Sequence, residues 1–480
     1  MPEFQRFMRN SFFLVVSYFL RFSSGLAIVV LVGRSVAKED FGRFTFALTL
    51  ASFFAVAADF GLPSLTIRDV ARDHALARSY YRNILTLKTI FSLICFGGIV
   101  AFVNLAGYPA ETRVVVYPVA AFTFIASLAN YHYFLFRGLE QMQYEAASAI
   151  IHNGMLIAGV AVALMMPHAG VKVPVSQVTY GYLGSGIVST AMIMLIFGRR
   201  AGGARLSFNW QEWKALLQRS SYFALYGMLG LVYMSIDTLM ISKLGKNPEP
   251  EMAVYQAPVK LLSAGVFAVG IITNVYIPML SRRFLGPIEE FKSLVHTLNR
   301  MGITVLAPIV VFPFMFSHEM MTFLFTAEYV ESARVLQILC IGFLVWDGPP
   351  YGIVFAAMGR QDLNFYIAAV CAVVNVVLNL IFIPLYYGPI AAASTTLATY
   401  VLMKILYIHY CRKHLGSAFV DYRYPLTLAL CLAIAAGLKL SGLHVVPAGI
   451  VFCLVYAGAG FVLLLSPQEK KLCLRMGLRV

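Results

Sequence analysis

Six charged residues sit in or at the ends of long apolar runs of this sequence, and they offer two kinds of chemistry. Arg21, near the middle of the run at 11–33, and Lys260 and Arg300, one or two turns into the runs at 253–280 and 295–316, are cations. Asp59, Asp237 and Asp347 are carboxylates in the runs at 44–65, 221–242 and 332–358. An ionisable group at bilayer depth costs about 2.5–3.5 kcal/mol on insertion scales, so each needs a partner, a wet cavity or a path to the interface. Guanidinium and ammonium groups facing a wet cavity would compensate a phosphorylated cargo. Asp237 has two readings: a structural ion-pair partner of Arg21 or Lys260, or a site for a proton or sodium ion during transport. Asp347 precedes Gly348-Pro349-Pro350, a break that must bend its helix, either as a static kink or as a flexing point.

Other charges have simpler explanations. Lys88, Arg334, Lys404 and Lys439 lie within about two turns of a run's end, where snorkelling suffices. Catalytic patterns are missing: there is no G-x-x-x-x-G-K-[ST] phosphate loop and no H-E-x-x-H pair. His132 and His152 read as packed or interfacial. Gly181, Gly184 and Gly186 read as close helix packing rather than a dinucleotide fingerprint, which would need strand context. The seven cysteines have no C-x-x-C spacing and imply neither a disulfide framework nor a metal site. No cofactor is expected.

The elements that must hold these residues follow from composition. Of 480 residues, 60% are hydrophobic and 12% charged, against roughly a quarter charged in soluble domains. Such a chain needs lipid as its solvent, and runs of about 20 apolar residues match the hydrocarbon layer. Besides those already given, runs fall at 84–106, 114–136, 146–166, 176–197, 365–385, 390–410, 424–441 and 445–465. The expectation is an all-α polytopic membrane protein of about fourteen transmembrane helices. The first run is too long for a signal-peptide core and has no small-residue cleavage site after it, so it reads as a retained span. No segment outside the runs is long enough to bury a core of its own.

The net charge of +15 would suggest nucleic acid in a soluble protein. Here the basic residues gather in alternate connections, at Arg68, Arg72, Arg78 and Arg82, at Arg199, Arg200 and Arg205, at Arg282 and Arg283, at Arg412 and Lys413, and at Lys470, Lys471, Arg475 and Arg479. That is the positive-inside pattern, with both termini cytoplasmic and no nucleic-acid partner. In the connection at 198–220, Trp210, Trp213 and Leu217 recur at helical spacing and predict an interfacial amphipathic helix that acts as a hinge. A weak repeat pairs Ser17-Tyr18-Phe19 with Ser221-Tyr222-Phe223, and Phe41-Gly-Arg-Phe-Thr-Phe-Ala47 with Met252-Ala-Val-Tyr-Gln-Ala257. It predicts two pseudo-symmetric six-helix lobes, 1–205 and 206–415, followed by two C-terminal helices and a tail at 416–480. Parallel repeats of this kind build transporters with a site between the halves.

Several stretches carry a resemblance. Asp59-Phe-Gly-Leu62 with Arg68-Asp-Val-Ala-Arg-Asp73, Glu39-Asp-Phe-Gly-Arg-Phe-Thr-Phe-Ala47, Ala253-Val-Tyr-Gln-Ala-Pro-Val-Lys-Leu261 with Pro278-Met-Leu-Ser281, and Phe323-Leu-Phe-Thr-Ala-Glu-Tyr329 run in order. Over about residues 1–410 the chain resembles the polysaccharide transporter branch of the multidrug/oligosaccharidyl-lipid/polysaccharide exporter superfamily, the Wzx-type flippases of O-antigen and capsule synthesis. It departs at Thr326, where the family pattern has Gly, and a weaker turn is expected there. The resemblance implies a V-shaped bundle around a cationic cavity in a bacterial cytoplasmic membrane, open alternately to each side. The implied cargo is an oligosaccharide on a polyprenyl diphosphate, with Arg21, Lys260 and Arg300 at the headgroup and the tail in lipid. Polysaccharide polymerase or ligase machinery would be the partner.

Three rival readings remain. A cation-coupled multidrug exporter of the same superfamily would lean on acidic cavity residues, and a peptidoglycan precursor flippase would differ in cargo. A membrane polymerase or ligase would need a large external loop, and the longest external segment, 317–331, is short and hydrophobic.

Overall fold

The computed structural model describes residues 2–166, 172–201, 207–284, 286–346, 351–417, 419 and 423–463. Among them the chain is helical throughout, with no β-strand. The helices are α1 (Pro2–Ser35), α2 (Lys38–Asp59), α3 (Leu62–Arg72), α4 (Ala77–Leu105), α5 (Ala110–Gly138), α6 (Met142–Met165), α7 (Val175–Ala201), α8 (Trp210–Leu244), α9 (Pro248–Phe284), α10 (Ile288–Met315), α11 (Ser317–Leu324), α12 (Ser332–Trp346), α13 (Tyr351–Ala357), α14 (Gln361–Leu385), α15 (Gly388–Leu415), α16 (Arg423–Leu440) and α17 (Val445–Leu463). Ten segments are long and apolar enough to cross a membrane, eleven if α8, bent by 55° between Val232 and Ser235, counts as one span. The apolar parts of α16 and α17 are shorter. Apart from 44–65, every run expected from the sequence falls on a helix, or, for the described residues of 332–358, on the pair α12 and α13.

One boundary differs. The run at 44–65 breaks after Asp59, because Phe60 (φ 44°) and Gly61 (φ 71°) both take the left-handed conformation that ends α2. Pro63 then sits in the first turn of α3. Gly61 is required twice, by its φ and by space: a Cβ there would lie 2.5 Å from the Ser220 carbonyl oxygen and 2.6 Å from Ala224 N. Thr326, by contrast, needs no glycine, since its φ of −174° is plain extended backbone.

The helices pack as two units, Met1–Gln256 and Ala257–Val480. In the first, α5 is central and its neighbours are α2, α3, α4, α6 and α7, while α1 lies on α6. Gly159 and Gly181 let α6 and α7 touch backbone to backbone; a Cβ on Gly181 would stand 2.9 Å from the Gly159 carbonyl oxygen. His132 is buried with its Nε2 hydrogen-bonded to the Tyr81 hydroxyl at 2.9 Å, and buried His152 is likewise bonded to Ser189 Oγ at 2.9 Å. In the second unit, one core joins the end of α9 with α10, α13, α14 and α15 around Phe291, Tyr351 and Phe355. Another joins α10 to α16 and α17 around Val311, Ala435 and Phe452.

The amphipathic connection is the first three turns of α8. Asn209 caps it, its side chain accepting from Gln211 N and Glu212 N. Its buried stripe is Leu216, Ser220 and Ala224, with Trp213 packed partly beside it, while Trp210 is exposed. The expected face of Trp210, Trp213 and Leu217 is therefore rotated, because α8 docks on α3 and α4 along Trp213–Leu216–Ser220.

Candidate functional site

The charged groups at membrane depth fall into those already neutralised and those that are not. Lys88 is 1% exposed and ion-pairs with Asp59, and both touch Ser127: Lys88 Nζ donates to Ser127 Oγ at 2.7 Å, and Ser127 Oγ donates to Asp59 Oδ1 at 2.9 Å. Snorkelling does not describe Lys88; the α2 terminus brings a carboxylate to it. Lys439 is tied down too, donating to the Met315 carbonyl at 2.5 Å and lying 3.3 Å from Glu319. Arg334 is exposed, and the Lys404 ammonium lies 5.1 Å from the Tyr351 ring centre.

A second neutralised pair escapes the sequence altogether. Glu145, in the first turn of α6, is fully buried and ion-pairs with Arg137 in the last turn of α5. Arg137 Nε also donates to Glu145 Oε2 at 3.2 Å, making the contact two-pronged, and Nη1 donates to the Tyr18 hydroxyl at 3.0 Å. Ser17 Oγ lies 3.5 Å from Glu145 Oε1. These contacts fasten α1 to the α5–α6 corner.

Arg21 stands on the same face of α1, one turn past Tyr18. Its guanidinium carbon lies 5.1 Å from the centre of the Tyr133 ring on α5, and it forms no ion pair or side-chain hydrogen bond among the described residues. Arg21 is half-buried, with its guanidinium turned toward α5. A cation–π contact returns about 0.5–2 kcal/mol, less than the cost of insertion, so an anion brought to Arg21 has charge left to compensate. The wall beside it is polar, with Ser24 donating to Asn153 Oδ1 at 2.7 Å.

Asp237 is 3% exposed and accepts from the Tyr255 hydroxyl at 2.5 Å. Arg21 and Asp237 are not paired. Lys260 and Arg300 belong to the second unit, both half-buried; Lys260 makes no ion pair among the described residues. Asp347 and the break at Gly348-Pro349-Pro350 lie outside the described residues. No group of three or more His, Cys, Asp or Glu that could hold a metal occurs among the described residues. The second unit also carries an open, largely apolar groove of about 470 Å³ lined by Phe312, Met320, Phe323, Val445, Ile450 and Cys453.

Outside the spans, polar groups tie α8 to α3 and α4. Asp69 on α3 accepts from Arg68 Nε at 2.8 Å and from the Tyr80 hydroxyl at 2.7 Å, and ion-pairs with Arg219 on α8. Burial acts to raise the Asp69 carboxyl, but the bonds from Arg68 and Tyr80 and the charges of Arg219 and Arg68 outweigh it and hold it below the ordinary carboxylate range. Glu212 bonds to Asn83 and, at 3.3 Å, to Ser79, and Trp213 Nε1 donates to Asn83 Oδ1 at 3.2 Å. At the other end of α8, Ser242 bonds to the Tyr108 hydroxyl at 2.9 Å, and Lys243 donates to the Ala106 carbonyl at 2.6 Å.

The chain's relatives agree with this architecture. Residues 7–284 match the family model described as polysaccharide biosynthesis protein. The capsular polysaccharide biosynthesis protein CapF of Staphylococcus aureus is 21% identical over 412 residues, 84% of this chain and 99% of that one. An inward-facing multidrug resistance MATE family transporter of the MOP superfamily superposes with a TM-score of 0.65 at 16% identity, covering 82% of this chain and 94% of that one. The lipid II flippase MurJ in an inward closed conformation gives 0.58 at 15% identity, covering 94% and 98%. The chain belongs to the polysaccharide biosynthesis protein family and has the polytopic helical fold seen in the MATE and MurJ structures.

Proposed function

We propose that this protein flips a polyprenyl-diphosphate-linked oligosaccharide from the cytoplasmic to the outer leaflet of a bacterial cytoplasmic membrane, by alternating access, for surface polysaccharide synthesis. The observation that carries the reading is Arg21: a guanidinium deep in α1, held on an aromatic face, with no carboxylate among the described residues to neutralise it. A diphosphate excluded by hydrocarbon supplies the anion that this group lacks. Lys260 and Arg300 serve as further cations for the headgroup, and the prenyl tail stays in lipid. Lobes at 1–205 and 206–415, with 416–480 appended, belong to the same reading, as does the cytoplasmic placement of both termini. Asp237, held by Tyr255, is the carboxylate at which a proton or sodium ion would couple to transport, and Asp347 is a second such position. Asp59 serves as the charge partner of Lys88.

A cation-coupled exporter would present free acidic groups to its cargo; Asp59 and Glu145 are each spent on a cation, and Asp237 is held by the Tyr255 hydroxyl. The test is surface polysaccharide display in a strain whose own copy is deleted. Wild-type protein should restore display and Arg21→Ala should not, at equal protein level. Full display by Arg21→Ala would contradict the reading.

A further inference from the structure

Around Arg21 most polar groups are already spent: Asn153 accepts from Ser24, His152 is bonded to Ser189, and Glu145 holds Arg137. Two are not. The Tyr133 hydroxyl and Ser148 Oγ are both completely buried and neither has a hydrogen-bond partner among the described residues. They belong to one neighbourhood. Tyr133 carries the Arg21 guanidinium on its ring. Ser148 lies on α6 between Glu145 and Asn153, the residues that meet Ser17 and Ser24 on either side of Arg21 along α1. A buried hydroxyl without a partner loses free energy that a ligand or water would restore.

We infer that Tyr133 and Ser148 complete an oxyanion subsite with Arg21 on the α1–α5–α6 wall, which takes one phosphoryl group of a prenyl diphosphate. Arg21 supplies the charge, and the two hydroxyls donate to phosphoryl oxygens. The neighbouring Arg137 stays outside the subsite, because Glu145 already saturates it. The inference rests on the flippase reading and adds to it the hydroxyls that recognise the headgroup.

The test uses the full chain in lipid nanodiscs and three probes titrated separately: farnesyl diphosphate, inorganic pyrophosphate and phosphatidylglycerol. Wild type should bind farnesyl diphosphate in competition with pyrophosphate and in preference to phosphatidylglycerol. Tyr133→Phe and Ser148→Ala should each weaken farnesyl diphosphate binding on the order of tenfold, the loss of one hydrogen bond to a charged group, while their ligand-free melting temperatures stay unchanged or rise. If wild type binds no farnesyl diphosphate, the flippase reading itself falls. If wild type binds and Arg21→Ala does not, yet both hydroxyl variants bind like wild type, the subsite is wrong and the flippase reading stands. A lower ligand-free melting temperature in either hydroxyl variant overturns the subsite, since the group is then structural. Equal affinity for phosphatidylglycerol also overturns it, making the site one for ordinary bilayer lipid.

Discussion

Arg137 and Arg21 meet the same wall of the first unit and are treated in opposite ways. Tyr133 and Arg137 are four residues apart on α5, and Tyr18 and Arg21 three apart on α1, so the two guanidinium groups meet their aromatic partners about one helical turn apart. Arg137 receives a fully buried carboxylate in two-pronged contact and a tyrosine hydroxyl. Arg21, one turn deeper, receives an aromatic ring and, among the described residues, no carboxylate. The chain can neutralise a guanidinium completely and does so where the charge fastens helices together. The difference assigns Arg137 to architecture and is the ground on which we propose an external anion for Arg21.

The sharpest way to break that comparison is to strand Arg137. Glu145→Ala leaves a buried guanidinium uncompensated and should cost about 3–5 kcal/mol, read as loss of folded protein on denaturation in detergent or failure to accumulate in the membrane. If Glu145→Ala is as stable as wild type, the assignment of Arg137 to architecture fails. Asp59→Ala strands Lys88 in the same way, but Asp59 is 30% exposed, so solvent shares the load and a smaller loss of about 2 kcal/mol is expected.

A weaker contact tests α8. With its carboxyl held below the ordinary range, Asp69 binds fewer protons folded than unfolded. Its contribution is therefore present above the unfolded pKa of about 4 and fades as pH falls through the lower folded value. Hydrogen exchange in 62–72 and 210–224 should accelerate together below about pH 4. Asp69→Asn should remove that pH dependence while destabilising the contact by about 1 kcal/mol, since Arg219 is half exposed. Least affected of all should be the stability of Arg21→Ala: with only a cation–π contact to lose, it should unfold within about 1 kcal/mol of wild type.

How much of this was legible depends on what a run of letters can carry. Helices were legible because twenty apolar residues in a row leave the backbone no partner but itself. Arg21 was legible by depth alone. The Arg137–Glu145 pair was not: the two residues fall just outside the apolar runs at 114–136 and 146–166, where charges look interfacial, and only the packing of α1 across that corner buries them. Lys88 misled for a related reason, since its partner Asp59 is 29 residues away at a helix end that Phe60 and Gly61 create. The orphan hydroxyls of Tyr133 and Ser148 leave no signal in sequence, because a hydroxyl without a partner is a fact about its neighbours.

Proteoliposomes loaded with a fluorescent polyprenyl-diphosphate sugar, with outer-leaflet label quenched by an impermeant reductant, measure the central assignment directly. Wild type should make the inner-leaflet pool accessible over time. Arg21→Ala should fall to the rate of protein-free vesicles while melting like wild type. Wild-type flipping by Arg21→Ala would mean that the unneutralised guanidinium plays no part in moving the cargo.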